Sequence, residues 1–152
     1  MNYERKTILL PTEILLSNPK TNQMKKQNEY HLQRQVCAWI RVAHNDILFL
    51  SDTIASLKLT IPQQVRNKAI QKHGFKCPDI LILKPSNNHS GLFIELKTES
   101  PFKKNGELKK KEHLEAQQKS INDLLESGYY ACFSWSLNQT IEIIENYLND
   151  KI

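Results

Sequence analysis

Three charged side chains lie at the ends of two short apolar runs of the sequence. Asp79 opens the run Ile80–Leu83, and Glu95 and Lys97 close the run Gly91–Lys97. The residues between the runs are rich in Pro, Asn and Ser, which predicts two neighbouring antiparallel strands joined by a turn. Because side chains alternate along a strand, Glu95 and Lys97 share one face, and pairing of the strands brings Asp79 towards that face. We therefore expect two carboxylates and an ammonium group in one small volume.

On residue types alone, such a cluster has two interpretations. Two carboxylates held close together repel each other, and a divalent cation relieves that repulsion. Ligands that are all oxygen suit a hard ion such as Mg²⁺ or Mn²⁺. Alternatively, Asp79 lies in a turn, while Glu95 and Lys97 form an ordinary solvated pair. Both interpretations stay open at this point, because short motifs often arise by chance.

Another carboxylate lies on the apolar stripe of the first predicted helix, Gln27–Ala43. Apolar residues recur in this segment at spacings of three and four, and Glu29 precedes Leu32 by three positions and Val36 by seven. This phase turns Glu29 inward, where a carboxylate is unusual. Glu29 is then either an N-terminal acid favoured by the helix dipole or a member of a functional site.

A glutamine has the same inward phase on a later predicted helix, Glu107–Ser127. Gln117 lies three positions after Leu114 and four before Ile121, whereas Gln118 points in another direction. An inward glutamine needs hydrogen-bond partners. These partners are either backbone groups at the edge of the core, which the residue types alone favour, or the groups of a site.

The order of these residues resembles the VRR-NUC branch of the PD-(D/E)xK nuclease superfamily, the virus-type replication-repair nucleases. That branch has a glutamate on a first helix, a Gly-x-x-x-Pro-Asp motif, a strand ending in Glu-x-Lys, and a glutamine on a helix that precedes a glycine and a last strand. The resemblance covers roughly residues 29–147. The matching residues, in chain order, are Glu29, Gly74, Pro78, Asp79, Glu95, Lys97, Gln117 and Gly128.

The resemblance implies a restriction-endonuclease-like core and a metal site within it. It implies that Asp79 and Glu95 bind one or two Mg²⁺ or Mn²⁺ ions, with the backbone carbonyl of Leu96 as a further ligand. Glu29 would help to bind the metal or to orient its water. The α/β fold class also follows from the predicted order of elements, α–β–α–β–β–α–β–α, which is typical of a mixed central sheet flanked by helices.

The resemblance further implies a metal-dependent DNA endonuclease that hydrolyses phosphodiester bonds. Lys97 would position or deprotonate the attacking water, or neutralise developing charge, and Gln117 would bond a catalytic water, a phosphate or a carboxylate. Stand-alone viral members of the branch are small homodimers similar to Holliday-junction resolvases, so branched DNA is the expected substrate and a homodimer the expected assembly. Two alternatives remain: a sequence-specific restriction endonuclease, and a non-catalytic DNA-binding protein with a relic site.

Basic residues are concentrated in two parts of the chain. A lysine-rich loop follows the second strand and could contact DNA phosphates near the acids, or simply keep the protein soluble; we favour DNA contact. Its members are Lys103, Lys104, Lys109, Lys110 and Lys111. A predicted helix from Thr60 to His73 carries Arg66, Lys68 and Lys72, and we interpret its basic side as a solvated face.

The composition bounds the remaining possibilities. The 152 residues suit one domain, and a net charge of +5 favours an anionic partner such as nucleic acid. Scattered cysteines and a short apolar stretch near the N-terminus indicate a reduced, cytoplasmic protein, in a bacterial host if the gene comes from a phage. We divide the chain into an N-terminal extension, residues 1–28, which could form a strand or an arm, and a nuclease domain, residues 29–152.

Overall fold

The computed structural model of the protein describes residues 24–52 and 59–152. Most of the expected N-terminal extension, residues 1–23, therefore lies outside the described residues. The first helix begins at Met24, three residues before its predicted start. Among the described residues, no helix combines the length and the apolar character that crossing a membrane requires.

The described residues form four helices and four strands in the predicted order, which confirms the α/β class with a mixed sheet. The elements are α1 (Met24–Ala43), β1 (Phe49–Ser51), α2 (Ile61–Ala69), β2 (Ile80–Ile82), β3 (Leu92–Leu96), α3 (Glu112–Glu126), β4 (Tyr130–Ser134) and α4 (Leu137–Leu148). The strands form one sheet in the order β1-β2-β3-β4. The pairs β1–β2 and β2–β3 are antiparallel, as predicted for β2 and β3, whereas β3 and β4 are parallel.

The two faces of the sheet build two separate apolar clusters. One face packs against α1 and α4 and holds the larger cluster, which includes Val36, Ile40, Ile80, Ile82, Leu92, Ile94, Leu96, Ile144 and Tyr147. The other face packs against α3 through Ile121, Leu124, Ala131 and Phe133, with Phe93 alongside. Alternation along β3 explains the division, because the even-numbered residues point to the first cluster and the odd-numbered residues to the second.

Two helices are shorter than the sequence predicts. Helix α2 ends at Ala69 rather than near His73, and none of its residues is buried, so no packing rewards a further turn. Helix α3 begins at Glu112 rather than Glu107. The residues before it fold back on themselves instead: the Lys109 amide donates to the Pro101 carbonyl, and Phe102 bridges to Leu108.

Helix α1 is tied to the end of the sheet where Asp79 lies. The Gln33 side-chain amide donates to the Ser51 hydroxyl at 2.7 Å and to the Asp52 carbonyl at 2.8 Å. Glu29 lies four residues earlier, on the same side of the helix. The bonds of Gln33 therefore fix the first turns of α1 against the end of the sheet and set the position of Glu29.

Candidate active site

The Asp79 side chain bonds to the backbone of β3 just beyond the point where β2 ends. The last residue of β3 with a partner in β2 is Ile94, which pairs with Ile80, so β3 continues past its neighbour. There the Leu96 amide donates to Asp79 Oδ2 at 2.8 Å. In an antiparallel pair, the N–H and C=O of one residue point to the same neighbour. The Leu96 carbonyl therefore faces the same side of β3 as the Asp79 carboxylate.

Glu95 lies at the centre of a buried polar network on the opposite side of the sheet from Leu96. Only 5% of the surface of Glu95 is exposed to solvent. Glu95 Oε1 accepts a bond from Lys97 Nζ at 2.7 Å and another from the side-chain amide of Gln117. Lys97 is 9% exposed, so this ion pair is shielded from water. The structure thus brings together Asp79, Glu95, Lys97 and Gln117, which the sequence placed far apart.

Burial makes both carboxylates reluctant to ionise. Desolvation raises the pKa of Asp79 to about 6, against the opposing effects of the Leu96 amide and the Lys97 ammonium. Desolvation and the neighbouring Asp79 charge raise the pKa of Glu95 to about 7, and Lys97 again opposes the shift. One ammonium group therefore does not balance the two acids, and the pair is suited to a bound cation.

Gln117 leaves a polar atom without a partner in this network. Its Oε1 atom is buried and accepts no hydrogen bond from any described residue. A buried amide oxygen without a donor costs about 1–3 kcal/mol, so such an atom needs an explanation. A water molecule or a ligand hydroxyl group beside Glu95 would supply the missing donor.

The donor set fits a hard divalent cation. Two carboxylates and the Leu96 carbonyl offer oxygen ligands alone, as Mg²⁺ and Mn²⁺ prefer. Within residues 24–52 and 59–152, no three His, Cys, Asp or Glu side chains form a group that could hold a metal ion. Glu29 is therefore not brought into a three-acid ligand set with Asp79 and Glu95. Its charge still acts on both, since it contributes to raising their pKa values.

A cleft of about 250 Å³ opens beside this network. Glu29 and Lys97 form part of its wall, and the other lining residues are Thr98, Glu99, Ser100, Pro101, Lys109, Lys111, His113 and Leu114. The sequence interpretation missed His113. Its position could have identified it, because His113 lies one helical turn before Gln117 on α3 and both side chains therefore share one face of the helix. Desolvation, Lys97 and Lys76 lower the pKa of His113, so the positive field of the site reaches it.

Comparison with solved structures finds a protein of similar fold. A protein described as "VRR_NUC domain protein" matches this chain with a TM-score of 0.55 and 20% sequence identity, covering 81% of this chain and 89% of that one. The chain therefore shares the fold of that protein. No family model matches the sequence, and no curated protein matches it.

Each predicted site residue has a defined position in this fold. Glu29 lies near the start of α1, Asp79 immediately before β2, Glu95 in β3, Lys97 just after it, and Gln117 on α3. Gly128 follows α3 with a φ of +86°, a conformation that glycine adopts without strain. The turn at Gly128 leads directly into β4, which pairs in parallel with β3 and supports it beside the site.

The lysine-rich loop reaches the cleft only in part. Lys109 and Lys111 line it. Lys103 forms an ion pair with Glu107 at 2.8 Å, and Lys109 Nζ donates to the Ser100 carbonyl at 2.7 Å. Lys104 and Lys110 are exposed to solvent. Part of the positive charge of the loop is therefore paired with groups of the loop itself.

Proposed function

We propose that this protein is a metal-dependent DNA endonuclease that hydrolyses phosphodiester bonds. The observation that carries the proposal is the contact network of Glu95, Lys97 and Gln117, with Asp79 fixed to the Leu96 amide at the same end of β3. A cleft borders this network, so a substrate phosphate has access to it. The VRR-NUC fold and the order of the motif residues support the same activity.

Asp79, Glu95 and the Leu96 carbonyl would hold Mg²⁺ or Mn²⁺. When bound, such an ion acts as a Lewis acid on the phosphate and lowers the pKa of bound water. Lys97 donates hydrogen bonds and carries positive charge, so it orients the attacking water or offsets charge that develops on the phosphate. Gln117 Oε1, which lacks a donor among the described residues, accepts a hydrogen bond from that water and turns its oxygen towards phosphorus. The water oxygen bonds to phosphorus as one P–O ester bond breaks; the water releases one proton to solvent, and the oxygen that leaves takes up a proton from solvent.

Glu29 and the cleft lysines complete the proposed assignment. Glu29 borders the cleft and orients water, while Lys109 and Lys111 contact phosphates on either side of the bond that is cut. We extend the proposal to branched DNA such as Holliday junctions and to a homodimer, on the resemblance to the stand-alone viral nucleases. Two identical sites related by a two-fold axis suit a junction with paired strands.

Cleavage of labelled linear duplex, flap and four-way DNA, with Mg²⁺, Mn²⁺ or EDTA, tests this proposal. We expect cleavage of the four-way substrate only with metal, and a loss of at least about 100-fold in rate for Asp79→Asn and Glu95→Gln. Glu142→Gln, an exposed change on α4, is the matched control and should cleave like the wild type. Cleavage in EDTA, or full activity in both site variants, would show that the assigned site is wrong.

The same assay separates the alternatives. Cutting of linear duplex at one sequence would favour a restriction endonuclease. DNA binding without cleavage of any substrate would favour a non-catalytic protein with a relic site.

A further inference from the structure

A second basic segment, residues 60–78, leads directly to the candidate site. It begins at the residue before α2 and ends at Pro78, next to Asp79. It contains no Asp or Glu, and its four cationic residues are Arg66, Lys68, Lys72 and Lys76. The whole chain has a formal charge of +5, so the +4 of this segment leaves +1 for all other residues.

The lysine-rich loop is less positive than this segment. Residues 98–111, which precede α3, contain five lysines and two glutamates, which gives +3. Two of those lysines lie near loop carboxylates: Lys103 is 2.8 Å from Glu107, and Lys109 is 3.9 Å from Glu99. By contrast, the cations of residues 60–78 form no ion pair with a carboxylate in the described part of the chain. Their field is therefore directed to solvent.

Helix α2 presents these charges on a surface that the protein does not bury. No residue of α2 is buried, and Arg66, Lys68, Lys72 and Lys76 are all exposed. A capping box of Thr60 and Gln63 stabilises its first turn, with the Thr60 amide donating to Gln63 Oε1 at 2.8 Å. The helix is thus held by local bonds while its side chains face outward.

The end of the segment is anchored beside the cleft. The Lys76 amide donates to Ser120 Oγ on α3 at 2.7 Å, and Phe75 packs against the apolar cluster under α3. The charge of Lys76 acts on His113, a residue that lines the cleft. The end of the basic segment is therefore held against α3, within electrostatic reach of the cleft wall.

We propose that residues 60–78 form the main electrostatic contact for the DNA backbone, with α2 along the phosphates and Lys76 at the entrance to the cleft. An acid-free row of exposed cations attracts phosphates without reading bases, and it places the duplex beside Asp79. This inference rests on the proposed function only in taking DNA as the polyanion. It also revises the sequence interpretation, which interpreted the α2 cations as a solvated face and favoured the lysine-rich loop for DNA contact; Lys109 and Lys111 keep their proposed phosphate contacts in the cleft.

Fluorescence anisotropy of labelled duplex and four-way DNA in EDTA tests binding without cleavage. The test variant is Arg66→Gln/Lys68→Gln/Lys72→Gln. The matched control, Arg41→Gln/Lys84→Gln/Lys151→Gln, removes the same kinds of charge from exposed positions away from Asp79. A third variant, Lys104→Gln/Lys109→Gln/Lys111→Gln, measures the loop and includes the two lysines that line the cleft. Thermal melting checks that all three are folded.

We expect the α2 variant to bind at least about tenfold more weakly near 0.1 M salt, and the slope of log Kd against log salt to fall by about 3. The loop variant should lose less, and the remote control should lose little. Equal loss in the α2 and remote variants, or no DNA binding by the wild type, would overturn the inference. Unchanged DNA binding would instead point to a protein partner on the exposed Ile61 and Val65.

The two proposals fail in different ways. If the wild type cleaves no DNA with any metal but its binding still depends on α2, the endonuclease proposal fails and the binding surface stands. If it cleaves DNA and the α2 variant binds like the remote control, the endonuclease proposal stands and the binding surface is wrong.

Discussion

Asp79 shows how a half-buried, desolvated carboxylate can lower the stability of the folded protein at neutral pH. Its pKa is raised from 3.8 to about 6, chiefly by desolvation, so the folded protein holds this proton more tightly than the unfolded chain does. Protonated Asp79 gives its full contribution to the stability of the folded protein below about pH 4, and that contribution is lost as the pH rises through about 6. At neutral pH, the ionised acid therefore opposes folding unless a cation binds beside it.

Asp79→Asn should stabilise the metal-free protein at pH 8. The amide oxygen can still accept the Leu96 N–H, while the buried charge is gone. We expect the free energy of unfolding to rise by about 1–3 kcal/mol at pH 8 and to change little at pH 4. Urea denaturation in EDTA at both pH values measures this, with exposed Asp46→Asn as the control. A lower stability of Asp79→Asn at pH 8 would contradict the assigned cause of the shift.

At the scale of the element, helical phase was the most reliable guide to the site. The phase of α3 turned Gln117 inward and Gln118 outward, and the structure places Gln117 against Glu95 while Gln118 bonds only to Asn122 at 2.9 Å. The antiparallel strands and the proximity of Asp79 to Glu95 also followed from alternation and turn residues. These features depend on local periodicity, which a sequence carries in full.

Other features of the elements depend on contacts that no local pattern encodes. Residues 107–111 look helical, but the bond from the Lys109 amide to Pro101 and the Phe102–Leu108 bridge hold them in a folded loop. His113 gains significance only because the start of α3 lies beside Lys97 across the cleft. Likewise, the exposure of α2 depends on which faces the other helices cover.

The two adjacent glutamines of α3 give a matched test of the site. Gln117→Met removes the donor to Glu95 and the buried acceptor, and replaces them with an apolar side chain of similar length. We expect DNA cleavage to fall by about 10–100-fold, with the melting temperature nearly unchanged or raised. Gln118→Met loses only an exposed bond to Asn122 and should cleave normally. Equal rates for the two variants would remove Gln117 from the proposed mechanism.

At the scale of the whole molecule, the sheet is covered unevenly by the described residues. Leu48, Leu50 and Leu83 point to the face that α3 covers, because Leu48 lies opposite Leu83 and Leu50 lies opposite Leu81. Yet α3 packs over β4, and these three leucines are 73%, 56% and 47% exposed. Among the described strands, β1 also lies at an edge of the sheet. Contiguous apolar surface beside a strand edge is typical of an interface.

We expect this surface to join two copies of the chain in the proposed homodimer, since an edge strand and its apolar face can meet their own copies across a two-fold axis. Light scattering should then give about twice the 17.7 kDa of one chain. Leu48→Lys/Leu50→Lys should shift the protein to monomers and slow paired cutting of a four-way junction more than cutting of a flap. Leu125→Lys, at an exposed leucine of α3, should leave the dimer intact. A monomeric wild type, or a dimer that survives Leu48→Lys/Leu50→Lys, would show that these leucines do not form the interface.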